Sequence, residues 1–124
     1  MEKIFTIDHL GGEYLSVNVS GLKQDTDSLF RITDEMLTWI KRPSVTKNIG
    51  YHIYDTEVTN ESAERIISSL EKHRDNIFRF CFVGMDFRGR NRIKKCMRKR
   101  KLAINHSFIF DLNKAKDWLV GKMV

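Results

Sequence analysis

The sequence predicts an α/β fold with a single mixed five-stranded sheet, made of an N-terminal β-hairpin followed by alternating strands and helices, and covered by about four helices. Two observations lead to this fold class. Near the start, two short segments of alternating apolar and polar residues flank a pair of glycines, and from residue 49 onward β-rich apolar runs alternate with segments of helical periodicity. The length of 124 residues, with one proline and no linker-like tract, predicts a single domain over residues 1–124.

The first three elements each have a local signal. Residues 3–8 and 13–19 alternate as half-buried strands do, and the glycines at 11–12 permit a tight reversal between them. A helix opens near Asp25 and carries apolar residues three or four positions apart. It ends before Pro43, because the residue that precedes a proline avoids the helical conformation. We therefore expect a β-hairpin followed by an amphipathic helix.

The later elements alternate between strand and helix. Residues 49–54 form a β-rich run, and a helix follows it. Residues 77–83 are almost continuously apolar, as a strand covered on both faces would be. Residues 106–110 predict the last strand and 113–122 the last helix. This alternation predicts parallel strands joined by right-handed crossovers, with the antiparallel hairpin at one side.

Positive charge is concentrated in one segment. The chain has 22 Lys and Arg against 16 Asp and Glu, a formal net charge of +6, and segment 88–101 holds nine of the cations and no acid. The segment predicts a helix with a narrow apolar contact at Ile93, Cys96 and Met97. Nine cations without an acid exceed what solubility requires, which favours an anionic partner. The residues that we expect to bind it are Arg88, Arg90, Arg92, Lys94, Lys95, Arg98 and Lys99.

Two further segments carry a resemblance to a known family. Residues 80–85 form an apolar strand that ends in Val-Gly, and residues 108–119 form a strand that closes on Phe-Asp and is followed by Ala115, Trp118 and Leu119 in the spacing Ala-x-x-Trp-Leu. Both resemble the SpoIIAA-like branch of the STAS superfamily, the sulfate transporter and anti-sigma-factor antagonist domains. The resemblance implies a fold that extends over most of the chain and a non-enzymatic regulatory domain that binds proteins or small ligands.

The same resemblance implies a candidate phosphoacceptor. Anti-anti-sigma members of the family are controlled by phosphorylation within an Asp-Ser-Ser/Thr-Gly motif after the third strand. Residues 60–63 stand at that place, and Ser62 is the nearest match, although its neighbours depart from the motif. Glu61 and Glu64 would repel a phosphate there, and serine is common in the first turn of a helix in any case.

An enzyme is the alternative interpretation. Asp55 and Asp86 follow two of the predicted parallel strands, and ligands of open α/β sheets bind beyond the carboxyl ends of such strands. These carboxylates would act as acid and base or as metal ligands on a phosphorylated or otherwise anionic small substrate, with arginines as the anion clamp. Structural roles in turns and helix caps explain the presence of these aspartates equally well.

The expected partner is a protein or an anionic ligand, which would contact the loops after the third and fourth strands and the basic helix. Nucleic acid is a second candidate partner, although no recognised nucleic-acid-binding motif is present. No apolar stretch is long enough to predict a membrane span. Oligomeric state is open, with Trp39 or Phe87 as candidate self-association contacts.

Cysteine and histidine spacings predict neither a metal site nor a cofactor. The two cysteines form no ligand pattern or disulfide framework, which favours a reducing cytoplasm. The four histidines are widely spaced, as surface or strand residues are. Cys96 lies among cations, which we expect to lower the pKa of its thiol.

Overall fold

The computed structural model describes residues 3–122, and within them the chain forms one mixed five-stranded sheet and four α-helices. The strands are β1 (Ile4–His9), β2 (Gly12–Asn18), β3 (Asn48–His52), β4 (Arg79–Val83) and β5 (His106–Ile109). The helices are α1 (Thr26–Ile40), α2 (Asn60–Lys72), α3 (Phe87–Arg100) and α4 (Leu112–Leu119). The predicted fold class is therefore confirmed.

The strands lie side by side in sequence order. β1 pairs with β2 antiparallel, and β2 to β5 pair in parallel. Helices α1, α2 and α3 pack into one core on the same face of the sheet, as crossovers of one hand that all advance in one direction require. Phe80 and Phe82 of β4 point into the core on that face, whereas Cys81 and Val83 pack with Leu119 of α4 on the other face. Because α4 packs mainly on β3, β4 and β5, the same face of the hairpin remains open as a groove.

The hairpin reversal uses one of the two predicted glycines and the leucine before them. Leu10 and Gly11 have φ values of 50° and 82°, the pair of positive φ angles that a tight two-residue turn requires. Gly12 instead pairs with His9 as the first residue of β2. A Cβ atom at Gly12 would lie 2.7 Å from Cβ of Val120, so the second glycine allows the end of α4 to approach the hairpin.

Two predicted boundaries shift at β4 and α3. β4 starts at Arg79 rather than at residue 77, because a 3-10 turn at Arg74–Asn76 delays the strand and leaves the Phe78 side chain exposed. α3 starts at Phe87, before the first arginine of the basic segment. The remaining elements lie where the sequence predicts them, within a few residues at each end.

Candidate functional site

Helix α3 presents the basic segment from a firmly capped start. The Asp86 carboxylate accepts the backbone N–H of Gly89 at 2.7 Å, which satisfies an otherwise free donor of the first turn. At the other end Lys101 adopts the left-handed conformation, with a φ of 53°, and closes the helix. The buried side of α3 consists of Gly89, Ile93, Cys96 and Met97. The three predicted core contacts of the basic segment are therefore confirmed.

Two of the arginines contact other elements of the fold. The Arg100 guanidinium donates to Glu64 Oε2 and Glu71 Oε1 of α2, each at 3.0 Å. Arg92 donates from Nη1 to the backbone carbonyl of Val58 at 2.7 Å, and so fastens the loop before α2 to α3. Arg92 was expected to bind the partner, but one of its guanidinium nitrogens is occupied by this loop. The binding role of Arg92 stays a prediction, beside a structural role that the sequence did not indicate.

The other cations of the basic segment form no ion pair with a carboxylate of residues 3–122. They are Arg88, Arg90, Lys94, Lys95, Arg98, Lys99 and Lys101. Helical spacing divides them into two flanks. Lys95 and Lys99 border α2, and Lys94, Arg98 and Lys101 border β5. Every exposed charge on this helix is positive, so like charges repel one another until an anion binds.

The flank beside β5 forms a groove of about 480 Å³, here called the β5 groove. Its lining residues are Lys94, Met97, Arg98, Lys101, Leu102, Ala103 and His106. Arg90 Cζ and Lys94 Nζ lie 5.4 and 5.5 Å from the centre of the Phe108 ring, which itself stacks on Phe82 at 5.0 Å. Within residues 3–122 no further strand pairs with the outer side of β5. The cations therefore stand beside an open edge of the sheet.

The flank beside α2 is smaller and contains an acid. Its depression of about 150 Å³ is lined by Lys95, Lys99 and Glu64 among others. Cys96 donates its S–H to Glu64 Oε1 at 3.4 Å, and burial together with this carboxylate raises the pKa of the Cys96 thiol. The expected lowering of that pKa is wrong, because the sequence could not indicate that α2 brings an acid against the thiol. This flank is less suited to an anion than the β5 groove.

Ser62 lies in the first turn of α2 and is fully buried. Its hydroxyl is 2.9 Å from Thr59 Oγ1, and the same Thr59 oxygen accepts the Ser62 backbone N–H at 3.0 Å as the helix cap. A kinase would have to open this turn to reach the hydroxyl. The geometry therefore does not favour phosphorylation of Ser62, which stays a prediction of the family resemblance.

The aspartates of the enzymatic alternative do lie together. Asp55 and Asp86 line one depression of about 410 Å³ at the carboxyl edge of the sheet. The cation that lines this depression is Lys23 rather than an arginine, so the expected arginine clamp is not assembled there. One Asp86 oxygen is occupied by the α3 cap. Within residues 3–122 no group of three histidine, cysteine or acidic side chains is placed to hold a metal ion.

The two candidate self-association residues differ in exposure. Trp39 is half-buried against the core, and the Arg42 guanidinium covers its ring at 4.6 Å. Phe87 is 76% exposed at the start of α3. Of the pair, only Phe87 offers a free apolar surface. None of the described helices, which lie within residues 3–122, is long and apolar enough to cross a membrane.

No protein-family model, curated protein or solved structure matches this chain. The resemblance to the STAS superfamily therefore rests on the quoted residues and on the order of the elements. Ala115 and Leu119, two residues of its closing motif, are fully buried in the contact between α4 and the sheet. Their spacing has a packing explanation, so it points to the fold rather than to a function. The sequence pattern places Lys101 in the basic segment without naming it as a binding residue and does not indicate His106, and both line the β5 groove because α3 packs beside β5.

Proposed function

We propose that this chain is a non-catalytic regulatory module of STAS-like type, which docks an acidic segment of a partner protein in the β5 groove. The observation that carries the proposal is the set of α3 cations that form no internal ion pair within residues 3–122, while Arg100 and Arg92 are engaged by the fold. Cations that stabilise the domain would be expected to meet carboxylates of the same chain. These meet solvent.

An extended acidic segment suits the open edge of the sheet. An edge strand offers backbone N–H and C=O groups that can pair with an added strand. Lys94, Arg98 and Lys101 beside that edge would repel a basic strand and attract an acidic one. Exposed ion pairs contribute only about 0.2–1 kcal/mol each, so several must act together with the backbone contacts.

Nucleic acid is less well suited to this surface. Single strands usually bind where bases can stack on exposed aromatic rings within a basic groove. Phe108, the aromatic ring that Arg90 and Lys94 contact, is half-buried and stacked on Phe82, so these cations cover it. We therefore favour an acidic protein segment over a nucleic acid.

The test compares two variants with the same charge on the same helix. In the groove variant Lys94, Arg98 and Lys101 become Gln, and in the flank variant Arg88, Lys95 and Lys99 become Gln. Arg88 precedes Lys95 by about two helical turns and so lies on the same side of α3. Fluorescence anisotropy with a labelled glutamate-rich peptide measures the affinity of each. We expect the groove variant to bind about tenfold or more weakly and the flank variant to change by less than about threefold. Equal losses would contradict docking in the groove, and no loss in either would contradict the role of the basic helix.

Two parallel titrations separate the other functions. A single-stranded oligonucleotide with the same number of charges as the peptide tests nucleic acid, and tighter binding of the oligonucleotide than of the peptide would contradict a protein partner. Thermal melting with Mg²⁺ and inorganic phosphate tests the alternative that uses Asp55 and Asp86. A rise in Tm with metal and phosphate together, and none with the peptide, would favour the enzyme.

A further inference from the structure

A second groove, of about 300 Å³, lies on the face of the sheet opposite α1, α2 and α3. Its floor is the part of the hairpin and of β3 that α4 leaves uncovered, and α4 forms its wall. Phe5, Ile7 and Leu112 give it a largely apolar lining. The volume is at the small end of the range for ligand pockets. This groove and the β5 groove lie at opposite edges of the sheet.

Two buried polar atoms at this groove have no partner. Within residues 3–122 neither Tyr14 Oη nor His52 Nε2 forms a hydrogen bond, although both atoms are buried. Tyr14 is fully buried, and its ring centre lies 6.4 Å from that of His52. Buried polar atoms in folded proteins almost always have a hydrogen-bond partner. Two unpartnered atoms in one groove therefore leave hydrogen-bonding capacity that a ligand bound there can meet.

The charge of the groove defines that ligand further. Burial raises the pKa of Tyr14 to about 12, and burial together with Lys116 lowers the pKa of His52 to about 4, so both side chains are neutral near pH 7. Lys116 of α4 lines the groove and forms no ion pair within residues 3–122. Lys116 is thus the one charged residue among those that line the groove, and the two unpartnered atoms belong to neutral side chains.

Gly50 allows three side chains to pack closely on the sheet beside this groove. A Cβ atom at this position would lie 3.0 Å from Leu119 Cδ1, 3.2 Å from Tyr14 Cε2 and 3.3 Å from His52 Nε2. These distances are tighter than ordinary van der Waals contact, so a side chain here would displace Leu119 and the two rings. The absence of a side chain at Gly50 lets both rings settle at the floor of the groove.

We propose that this groove binds a small monocarboxylate with an apolar aromatic or branched body. The Lys116 ammonium and the Tyr14 hydroxyl donate to the carboxylate, and the Nε2–H tautomer of His52 donates to its second oxygen. The apolar body packs on Phe5 and Leu112. An amine would be repelled by Lys116, and an amide of the same shape would lack the charge that Lys116 attracts.

The test is a nuclear magnetic resonance titration of the full chain with three probes of one shape: phenylacetate, phenylacetamide and phenethylamine. We expect phenylacetate to shift the resonances of Tyr14, Ser16, His52 and Lys116 in a saturable manner, and to bind at least about tenfold more tightly than the other two. Equal affinities, or no saturable shift of these residues up to about 10 mM phenylacetate, would overturn the proposal.

Two single substitutions then test the contacts. Lys116→Gln and Tyr14→Phe each remove one donor, and both are expected to weaken phenylacetate binding by about fivefold or more. Lys114→Gln, on the exposed side of the same helix, is the matched control and should leave the affinity unchanged. Since Tyr14→Phe keeps the ring, its thermal unfolding shows whether the fold is intact. Wild-type affinity in both test variants would contradict the proposal, and neither result bears on the β5 groove.

Discussion

Acidification should destabilise this fold through His52. Burial together with Lys116 lowers the pKa of its imidazole from an ordinary 6.5 to about 4 in the folded chain. The unfolded chain therefore takes up the proton more readily, and the stability that neutral His52 contributes is complete above pH 6.5 and is lost as the pH falls towards 4. At about 1.4 kcal/mol per pKa unit, the loss between pH 7 and pH 5 is about 2 kcal/mol.

Urea unfolding of the wild type and of His52→Gln at pH 7 and pH 5, at constant ionic strength, measures this loss. The glutamine does not titrate, so its unfolding free energy should fall by about 2 kcal/mol less than that of the wild type. The side chains that face the imidazole are Lys116 of α4 and Tyr14 of β2, and burial raises the pKa of Tyr14 to about 12, well above this range. Equal losses in the two proteins would refute the reasoning.

Three further predictions concern stability, and urea unfolding measures the change in midpoint and in the free energy of unfolding for each. Gly84→Ala should cost about 3 kcal/mol or more, because Gly84 has a φ of 79° and a Cβ atom there would lie 2.3 Å from the Tyr54 ring; a change below about 1 kcal/mol would contradict this. Tyr14→Phe should leave stability unchanged or raise it by up to about 1 kcal/mol, since the hydroxyl has no partner, and a clear loss would reveal a partner. Arg100→Gln should lower the midpoint because it breaks both contacts to α2, while Lys99→Gln should not, and identical midpoints would contradict the division of the α3 cations.

The fold was predictable because its signals are local. Apolar periodicity and the hairpin glycines depend on neighbouring residues, and they indicated every strand and helix. The errors arise where tertiary contacts decide. The second hairpin glycine is explained by Val120, more than a hundred residues away, and the reversal takes Leu10 in its place. Asp86, a candidate catalytic residue of the enzymatic alternative, also caps α3, and its position immediately before the helix is a local signal of that role.

The sequence predicts the helix that carries the candidate site, but not which of its cations contact other parts of the fold and which are free to bind a partner. The excess of cations in 88–101 is evident from sequence, but the engagement of Arg100 depends on Glu64 and Glu71 of another helix. The effect of Glu64 on the Cys96 thiol has the same origin. The groove at His52 was not predictable, because it exists only where α4 leaves part of the hairpin and of β3 uncovered. The sequence pattern shows where charges lie along the chain, whereas tertiary packing decides which charged side chains remain free to bind a partner.

The most direct test of the proposed function is the affinity of the glutamate-rich peptide for the wild type, the groove variant and the flank variant, measured at about 0.02 M and about 0.15 M salt. If the peptide binds in the β5 groove, its affinity should fall as the salt concentration rises. The affinity should fall by about tenfold or more only in the variant in which Lys94, Arg98 and Lys101 are replaced. Binding that is insensitive to salt, or that is equal in the two variants, would contradict it.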